Sequence, residues 1–318
     1  MAKSEMFEKG LDVTAPSLPR VAFVGIGNMG WPMAANLVKA GFDVTVVDAV
    51  PARADKFATE IGGKAGETVA MAVAGVGVVV TILPTSKQVA TVVGEMRPHL
   101  EKGVLVVEMS SGVPATTRAL AADLATLGVS MIDCPVSGGV ARARSGELAI
   151  LTGGADADLD RAAPLLKAMG TSIHRCGEIG AGQAMKALNN LVSAGGFLIG
   201  IEALLIGQRF GLDPAVMVDV LNASTGMNNS TQKKFKQFVL SRRFDSGFGL
   251  DLMAKDLSIA LEVGRDTATP TPFAALCREM WASAANLLGP GQDHTAVAQL
   301  SERLVGTALG GGNRSSEA

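Results

Sequence analysis

Gly25-Ile26-Gly27-Asn28-Met29-Gly30 stands between an apolar run, Val21–Val24, and a segment of helical periodicity over 28–40. Three glycines at that spacing, between a strand and a helix, restrict the fold more than any other feature of the chain. The first permits a tight turn, the second lets a bound diphosphate approach the backbone, and the third lets helix pack on strand. A phosphate placed there meets the unpaired N–H groups of a helix N-terminus. A glycine-rich turn without a ligand has the same spelling. Here, however, the next apolar run, Val44–Val47, ends in Asp48, as a dinucleotide site requires. A carboxylate at that point accepts hydrogen bonds from the adenosine ribose and repels a 2′-phosphate. This favours NAD; Arg53 nearby softens the preference and keeps NADP possible. The alternative for Asp48 is to cap the helix opened by Pro51.

Strand and helix signals continue to alternate. Apolar runs at 77–83, 104–107 and 129–132 are each preceded by a helical stretch, and late strands at 148–152 and 172–175 flank a helix over 158–169. Such alternation implies a Rossmann-type, doubly wound parallel sheet. After Gly182 the strand signals stop. Helices are expected over 183–210, Pro214–Asn222, 231–240, 252–265, Pro272–Leu288 and 294–304, with Pro214 and Pro272 in first turns. The chain therefore reads as a flexible leader (1–18), an α/β nucleotide-binding domain (19–181), an all-α C-terminal domain (182–308) and a flexible tail (309–318).

Composition excludes several function classes. The 318 residues are 48% hydrophobic and 18% charged, with a net charge of −2, so nothing attracts nucleic acid or an anionic membrane in bulk. No apolar run reads as a bilayer span. The richest, 191–207, carries Ser193, Glu202 and four glycines and reads as a buried helix. Cys134, Cys176 and Cys277 are far apart, as expected of free thiols in a reducing cytoplasm. His99, His174 and His294 are scattered, so no metal site is expected and none of the three is a candidate for catalysis.

Two further segments carry chemistry. Asp133-Cys134-Pro135-Val136-Ser137-Gly138-Gly139 offers a hydroxyl and two unobstructed N–H groups at a strand end, which suits a small carboxylate. Gly182-Gln183-Ala184-Met185-Lys186-Ala187-Leu188-Asn189-Asn190 sets Lys186 and Asn190 on one helix face. A lysine on an apolar helix is partly desolvated, which lowers its pKa toward the range of acid–base work. A snorkelling surface lysine is the plain alternative, but two amides inside an Ala/Leu/Val helix need partners. Leu83-Pro84 and Glu108-Met109-Ser110-Ser111 close two more strands, where ligands gather in such sheets. Ser110 is placed to touch the nicotinamide end, Ser111 to cap the helix near Pro114. Lys255-Asp256 reads either as a helix-surface pair or as a lysine reaching toward cofactor or substrate.

These motifs, in this order, resemble the β-hydroxyacid dehydrogenases, the group of 3-hydroxyisobutyrate dehydrogenase and tartronate semialdehyde reductase. The likeness runs from about Arg20 to Leu304. The resemblance implies a homodimer or homotetramer, Lys186 as catalytic acid/base and Asn190 as its substrate-orienting neighbour. It implies Ser137, Gly138 and Gly139 as the carboxylate grip, and Leu83, Pro84, Ser110 and Lys255 as cofactor contacts. The 224–230 segment carries amides where relatives often have a tryptophan, which predicts a more polar pocket. Glu108 stands where many relatives have Asp, a difference given little weight. The expected activity is interconversion of a short 3-hydroxy acid and its semialdehyde or keto acid. The alternatives are an imine reductase on the same fold, disfavoured by the lysine, and a cofactor-bound sensor without turnover.

Overall fold

The structure, a computed structural model, describes residues 18–310. The expected leader (apart from Leu18) and most of the expected tail lie outside the described residues. Leu309 is an exception: it is buried and its N–H donates to Glu302 Oε1, so the ordered chain runs past the expected end of the helical domain.

The first half is built as β1 (Val21–Val24), α1 (Gly30–Lys39), β2 (Val44–Val47), α2 (Pro51–Glu60), β3 (Lys64–Ala65), α3 (Val69–Val73), β4 (Val78–Thr81), α4 (Ser86–Met96), β5 (Leu105–Glu108), α5 (Pro114–Ala125) and β6 (Ser130–Asp133). These six strands lie parallel in the order β3-β2-β1-β4-β5-β6. Every residue of β1, β4 and β5 is buried, because helices cover both faces of the sheet. Alternate side chains feed two cores. Phe23, Val80, Val107 and Ile132 pack with Met33 and Leu37 of α1, while Ala22, Val79, Val106 and Met131 pack with Val89 and Val93 of α4.

The doubly wound parallel sheet is as expected through β6, and beyond it antiparallel pairs are added. The chain continues as β7 (Val136–Ser137), α6 (Gly139–Ser145), β8 (Leu148–Gly153), α7 (Asp156–Met169) and β9 (Gly170–Gly177). β7 and β6 both pair antiparallel with β8, and β9 pairs parallel with it. The seven residues of α6 are too few for the crossover that a parallel return needs, whereas α7 is long enough.

The second half is α8 (Ala181–Phe210), α9 (Pro214–Asn222), α10 (Asn229–Lys233), α11 (Leu250–Asp266), α12 (Pro272–Leu288) and α13 (Ala298–Val305). Two expected helices are divided. The 231–240 segment breaks at Lys234 into α10 and a widened turn, Phe235–Leu240, which seats the Phe235 ring on Gly200; a Cβ there would lie 2.6 Å from the ring. The 294–304 segment begins as a tight 3-10 turn, His294–Val297, because the Asp293 side chain caps it at Thr295 N. Phe197 of α8 anchors the core, edge-on to Phe235 at 5.2 Å and to Trp281 at 6.0 Å. Contrary to the reading of its sequence, α8 is long and apolar enough to cross a bilayer by length and composition, yet half of its most apolar window is buried inside the protein.

Candidate functional site

The three glycines of the first turn divide by role. Gly25 has φ +95°, and a Cβ there would lie 2.3 Å from the Ile82 carbonyl oxygen; one on Gly30 would lie 1.9 Å from Gly25 O. A Cβ on Gly27 would meet nothing within 4 Å. The first and third glycines thus serve the fold, and the second holds open space. Gly27 and Asn28 are exposed, whereas Ile26 is buried and Met29 sits at the N-cap of α1. Gly27 and Asn28 line a cavity of ≈ 950 Å³ whose charged wall is Arg53, Lys56 and Arg144.

Asp48 closes the turn from β2. Its Oδ2 accepts from Ile26 N (2.9 Å), and its Oδ1 accepts from Val50 N (2.9 Å) and from Arg53 Nη1 (2.8 Å). The N-cap of α2 is Val50, so the helix-capping alternative for Asp48 does not hold. The carboxylate instead ties the turn to the strand that follows it, with Arg53 as its counter-ion.

At the ends of β4 and β5, the Leu83 N–H donates to Ser110 Oγ at 2.8 Å. Ser110 is buried and occupied by this bond, so it braces the Leu83-Pro84 turn. Ser111 does not cap α5, whose N-cap is Val113; the Val113 N–H is bound by Ser86 Oγ instead. Lys255 crosses from α11 to these loops, and its Nζ donates to Ser111 O at 2.8 Å and Pro84 O at 3.3 Å. It pairs with Asp256 as the plain reading had it, and it also spans to the sheet loops.

α8 begins three residues after β9, and Asp133 of β6 serves as its cap from across the sheet. Asp133 Oδ1 accepts from Gly180 N (2.6 Å) and Oδ2 from Gln183 N (2.7 Å). Burial nonetheless raises this carboxyl to about 6. Gly182 is required at the contact, because a Cβ would lie 2.3 Å from Leu151 O of β8. One turn on, Lys186 is 7% exposed. Burial pulls its pKa below the ordinary lysine value, Asp256 opposes that and Lys255 adds to it. Asn190 Nδ2 donates to Asp256 Oδ2 at 2.6 Å, and Lys255 Nζ lies 3.3 Å from Asp256 Oδ1. Lys186, Asn190 and Asp256 are thus buried together with the half-buried Lys255 beside them, and burial weakens the hold of the Lys186 ammonium on its proton.

Ser137 ends β7, and Gly138 (φ +134°) and Gly139 (φ +69°) turn the chain into α6 in conformations suited to glycine. β7 pairs with β8, the strand that also supports the first turn of α8. The hydroxyl-bearing strand end and the lysine-bearing helix thus share one neighbour.

Several residues of the site were not singled out from the sequence. Asp256 has no sequence signal beyond its place beside Lys255, and its contact with Asn190 follows from the packing of α11 on α8. His294 was set aside with the other histidines but is buried, stacks on Trp281 at 6.3 Å and lies 3.0 Å from Ser246 Oγ through Nδ1. Burial, with Lys234 nearby, lowers it to about 4. Its neighbour Asp293 accepts from the Gly247 and Phe248 amides and so pins the loop that reaches the cavity wall. Of the amides over 224–230, Asn228 serves the fold, its Oδ1 capping α10 at Ser230 N and Thr231 N.

Two family models match the chain. Residues 20–178 match the NAD-binding domain of 6-phosphogluconate dehydrogenase, and residues 180–301 match the NAD-binding region of NADP-dependent 3-hydroxyisobutyrate dehydrogenase. The chain is 33% identical to 2-(hydroxymethyl)glutarate dehydrogenase of Eubacterium barkeri, over 92% of this chain and 98% of that one. A Mycobacterium tuberculosis 3-hydroxyisobutyrate dehydrogenase solved with L-serine superposes with a TM-score of 0.83 at 32% identity, covering 89% of this chain and 99% of that one. An imine reductase from Myxococcus stipitatus, at 18% identity and a TM-score of 0.61 over 90% of this chain and all of that one, shares the fold alone. With glycine turn, capped helix and buried lysine in place, the chain belongs to the β-hydroxyacid dehydrogenase family of NAD(P)-dependent oxidoreductases acting on the hydroxyl group of hydroxy acids.

Proposed function

We propose that this enzyme interconverts a short 3-hydroxy acid and its semialdehyde or keto acid, with Lys186 moving the hydroxyl proton. The observation that carries the reading is the buried Lys186, one turn from the capped start of α8 and flanked by Asn190 and Asp256. Ser137 and the Gly138 and Gly139 amides hold the substrate carboxylate. The open space at Gly27 and the cationic cavity beside it fit a dinucleotide diphosphate, with Gly25, Ile26, Asn28, Met29 and Gly30 shaping the turn and Asp48 facing the ribose. Leu83, Pro84, Ser110 and Lys255 stand where the nicotinamide end would lie. A nicotinamide held there would supply the acceptor or donor of the hydride. In oxidation, neutral Lys186 accepts the hydroxyl proton; in reduction its ammonium form donates it. Asn190, fixed by Asp256, presents its remaining N–H to the substrate oxygen. NAD is preferred, since Asp48 disfavours a 2′-phosphate.

The named relatives act on or bind 2-(hydroxymethyl)glutarate and L-serine. Both carry a hydroxymethyl group on the carbon next to a carboxylate, which defines the panel to screen. Lys186→Ala should lower turnover by about 10²–10⁴-fold and leave cofactor binding nearly intact. Lys186→Arg should be almost as damaging, because a guanidinium does not release its proton near neutrality. The oxidation rate should rise with pH through one ionisation below the ordinary lysine range, and the variant should lose that limb. Near-normal turnover in Lys186→Ala with the limb retained would overturn the reading.

The assembly proposed is a homo-oligomer in a reducing, cytoplasmic setting. Met185, Val192, Ile199 and Ile206 recur every seven residues on α8 and are all exposed, as are Val216 and Val220 of α9 and Phe273 of α12. A seam of this kind suits a second copy of the same helix face. Light scattering at micromolar concentration should show at least a dimer, and a fully active monomer would refute it.

A further inference from the structure

The reaction described above makes no use of Glu108, a fully buried carboxyl at the end of β5. Its surroundings are specific. Oε2 accepts from Gln183 Nε2 at 2.7 Å, and Oε1 accepts from Ser110 N at 2.8 Å and from Thr81 Oγ1 at 3.4 Å. Ser110 Oγ in turn holds the Leu83 amide. Gln183 lies in the first turn of α8, three residues before Lys186 and so on the same face. Its side chain passes Gly112 with no space to spare, since a Cβ there would lie 2.8 Å from Nε2. Its Oε1 is buried without a partner. In register with Glu108 on the next strand, Asp133 holds the backbone of the same helical turn.

We propose that Glu108 is a positioning residue for Lys186: through Gln183 it sets the first turn of α8, and through Ser110 it ties that turn to the Leu83 loop on the cofactor side. This rests on the reading of Lys186 as the proton-transfer group. Asp133 fixes the rise of the helix by its backbone, and Glu108 fixes its rotation by a side chain, so the pair leaves Lys186 one direction in which to point. The length of the glutamate, given little weight on the sequence because many relatives carry aspartate here, matters in this chain, because with Gln183 as partner an aspartate carboxylate is withdrawn by about 1.5 Å and no longer reaches it.

The joint has two hydrogen-bonding states. Ionised, Glu108 only accepts, and Gln183 Oε1 stays idle. Protonated, Glu108 has one O–H to donate, and rotation of the Gln183 amide brings Oε1 to it. Burial holds this carboxyl up to about 7. The titratable groups facing it are Asp133 and the Cys134 thiol, both also raised by burial. Lys255 approaches the same strand end through Ser111 O.

The test compares Glu108→Asp, Glu108→Gln and Gln183→Leu in the full-length enzyme, with a hydroxy acid active in the panel and NAD. Glu108→Asp should lower kcat by about 10²-fold, the cost of aiming a reacting group wrongly by about 1 Å, with little change in cofactor dissociation constant. Glu108→Gln keeps the reach, and its amide can donate to Gln183 Oε1. It should keep most of kcat while losing an inflection near pH 7 that the wild type shows in addition to the Lys186 limb. Gln183→Leu should match Glu108→Asp, and the double variant should be no worse than either single. If Glu108→Asp does not fold, Gln183→Leu carries the kinetic comparison. Full kcat in both Glu108→Asp and Gln183→Leu, additive losses in the double variant, or an unchanged pH profile in Glu108→Gln would overturn the proposal. An active Lys186→Ala would instead overturn the underlying reading, so the two failures are distinguishable.

Discussion

Replacing Gly27 by alanine separates what the cofactor needs from what the fold needs. A Cβ at this position meets nothing within 4 Å, and Gly27 is not among the residues held at positive φ. The folded state therefore has no steric objection, and stiffening the unfolded chain contributes about 0.4–1 kcal/mol of stability. Unfolding temperature should stay level or rise slightly. The cofactor faces the opposite situation. The methyl group projects about 1.5 Å into the space beside Asn28 where a diphosphate would meet the backbone. Losing one charge-assisted hydrogen bond costs about 1.5–3 kcal/mol, a weakening of dissociation constant by roughly 10–100-fold. Gly25→Ala and Gly30→Ala are the controls: their methyl groups would lie 2.3 Å and 1.9 Å from backbone oxygens, so they should lose stability before any question of binding arises. Calorimetric titration with NADH beside thermal unfolding reads both quantities without a known substrate. An unchanged affinity in Gly27→Ala, or a stability loss equal to that of Gly25→Ala, would refute the division of the three glycines.

Asp48→Ser removes the carboxylate and frees Arg53 from its 2.8 Å contact, so the ratio of kcat/KM for NADP over NAD should rise; an unchanged ratio would assign Asp48 a structural part only. Ser137→Ala should weaken acid substrates far more than it weakens NAD, and Gly139→Val should be worse, because a branched residue is strained at φ +69°; equal losses for substrate and cofactor would remove Ser137 from the carboxylate grip. Glu108 also makes a thermodynamic prediction. Its folded pKa of about 7 lies above the ordinary 4.5, so its contribution is fully present below pH 4.5 and is lost as pH rises through 7. Ionisation then costs about 3 kcal/mol, and Glu108→Gln, measured by denaturant unfolding, should gain on the wild type by that order between pH 4.5 and pH 8; a flat difference would place the carboxyl in contact with water.

Local pattern was enough for much of the fold. β1 and β2 lie where their apolar runs end in Gly25 and Asp48, and prolines 51, 114, 214 and 272 each open a helix, as their missing N–H and fixed φ favour. The antiparallel return of β7 and β8 was not legible as such, because it follows from the shortness of a helix bounded by the positive-φ glycines Gly138 and Gly146. Of the site, Lys186 and Asn190 were readable because two amides and a lysine on an apolar helix need partners. The partners themselves were not. Asp256 lies 66 residues from Asn190, and Glu108 lies 75 from Gln183, so no spacing rule connects them. The burial of His294 was unreadable for the same reason: its ring packs against Trp281, Phe197 and Phe248, which meet only in the packed domain.

α8 begins three residues after β9 and runs unbroken for 30 residues, a rod of about 45 Å. Its near end is clamped by Asp133, and its far half is the spine on which the other helices are stacked. The phase of Lys186 relative to the sheet is therefore decided within the first turn and does not depend on what is attached further along. Helices α9, α10, α12 and α13, and the faces of α11 away from Lys255 and Asp256, can exchange side chains, and the turn around Asn228 can be rebuilt, while Lys186, the proposed proton-transfer group, keeps its bearing on the cofactor side. A scaffold wired in this way lets substrate choice drift from one hydroxy acid to another without retuning the chemistry.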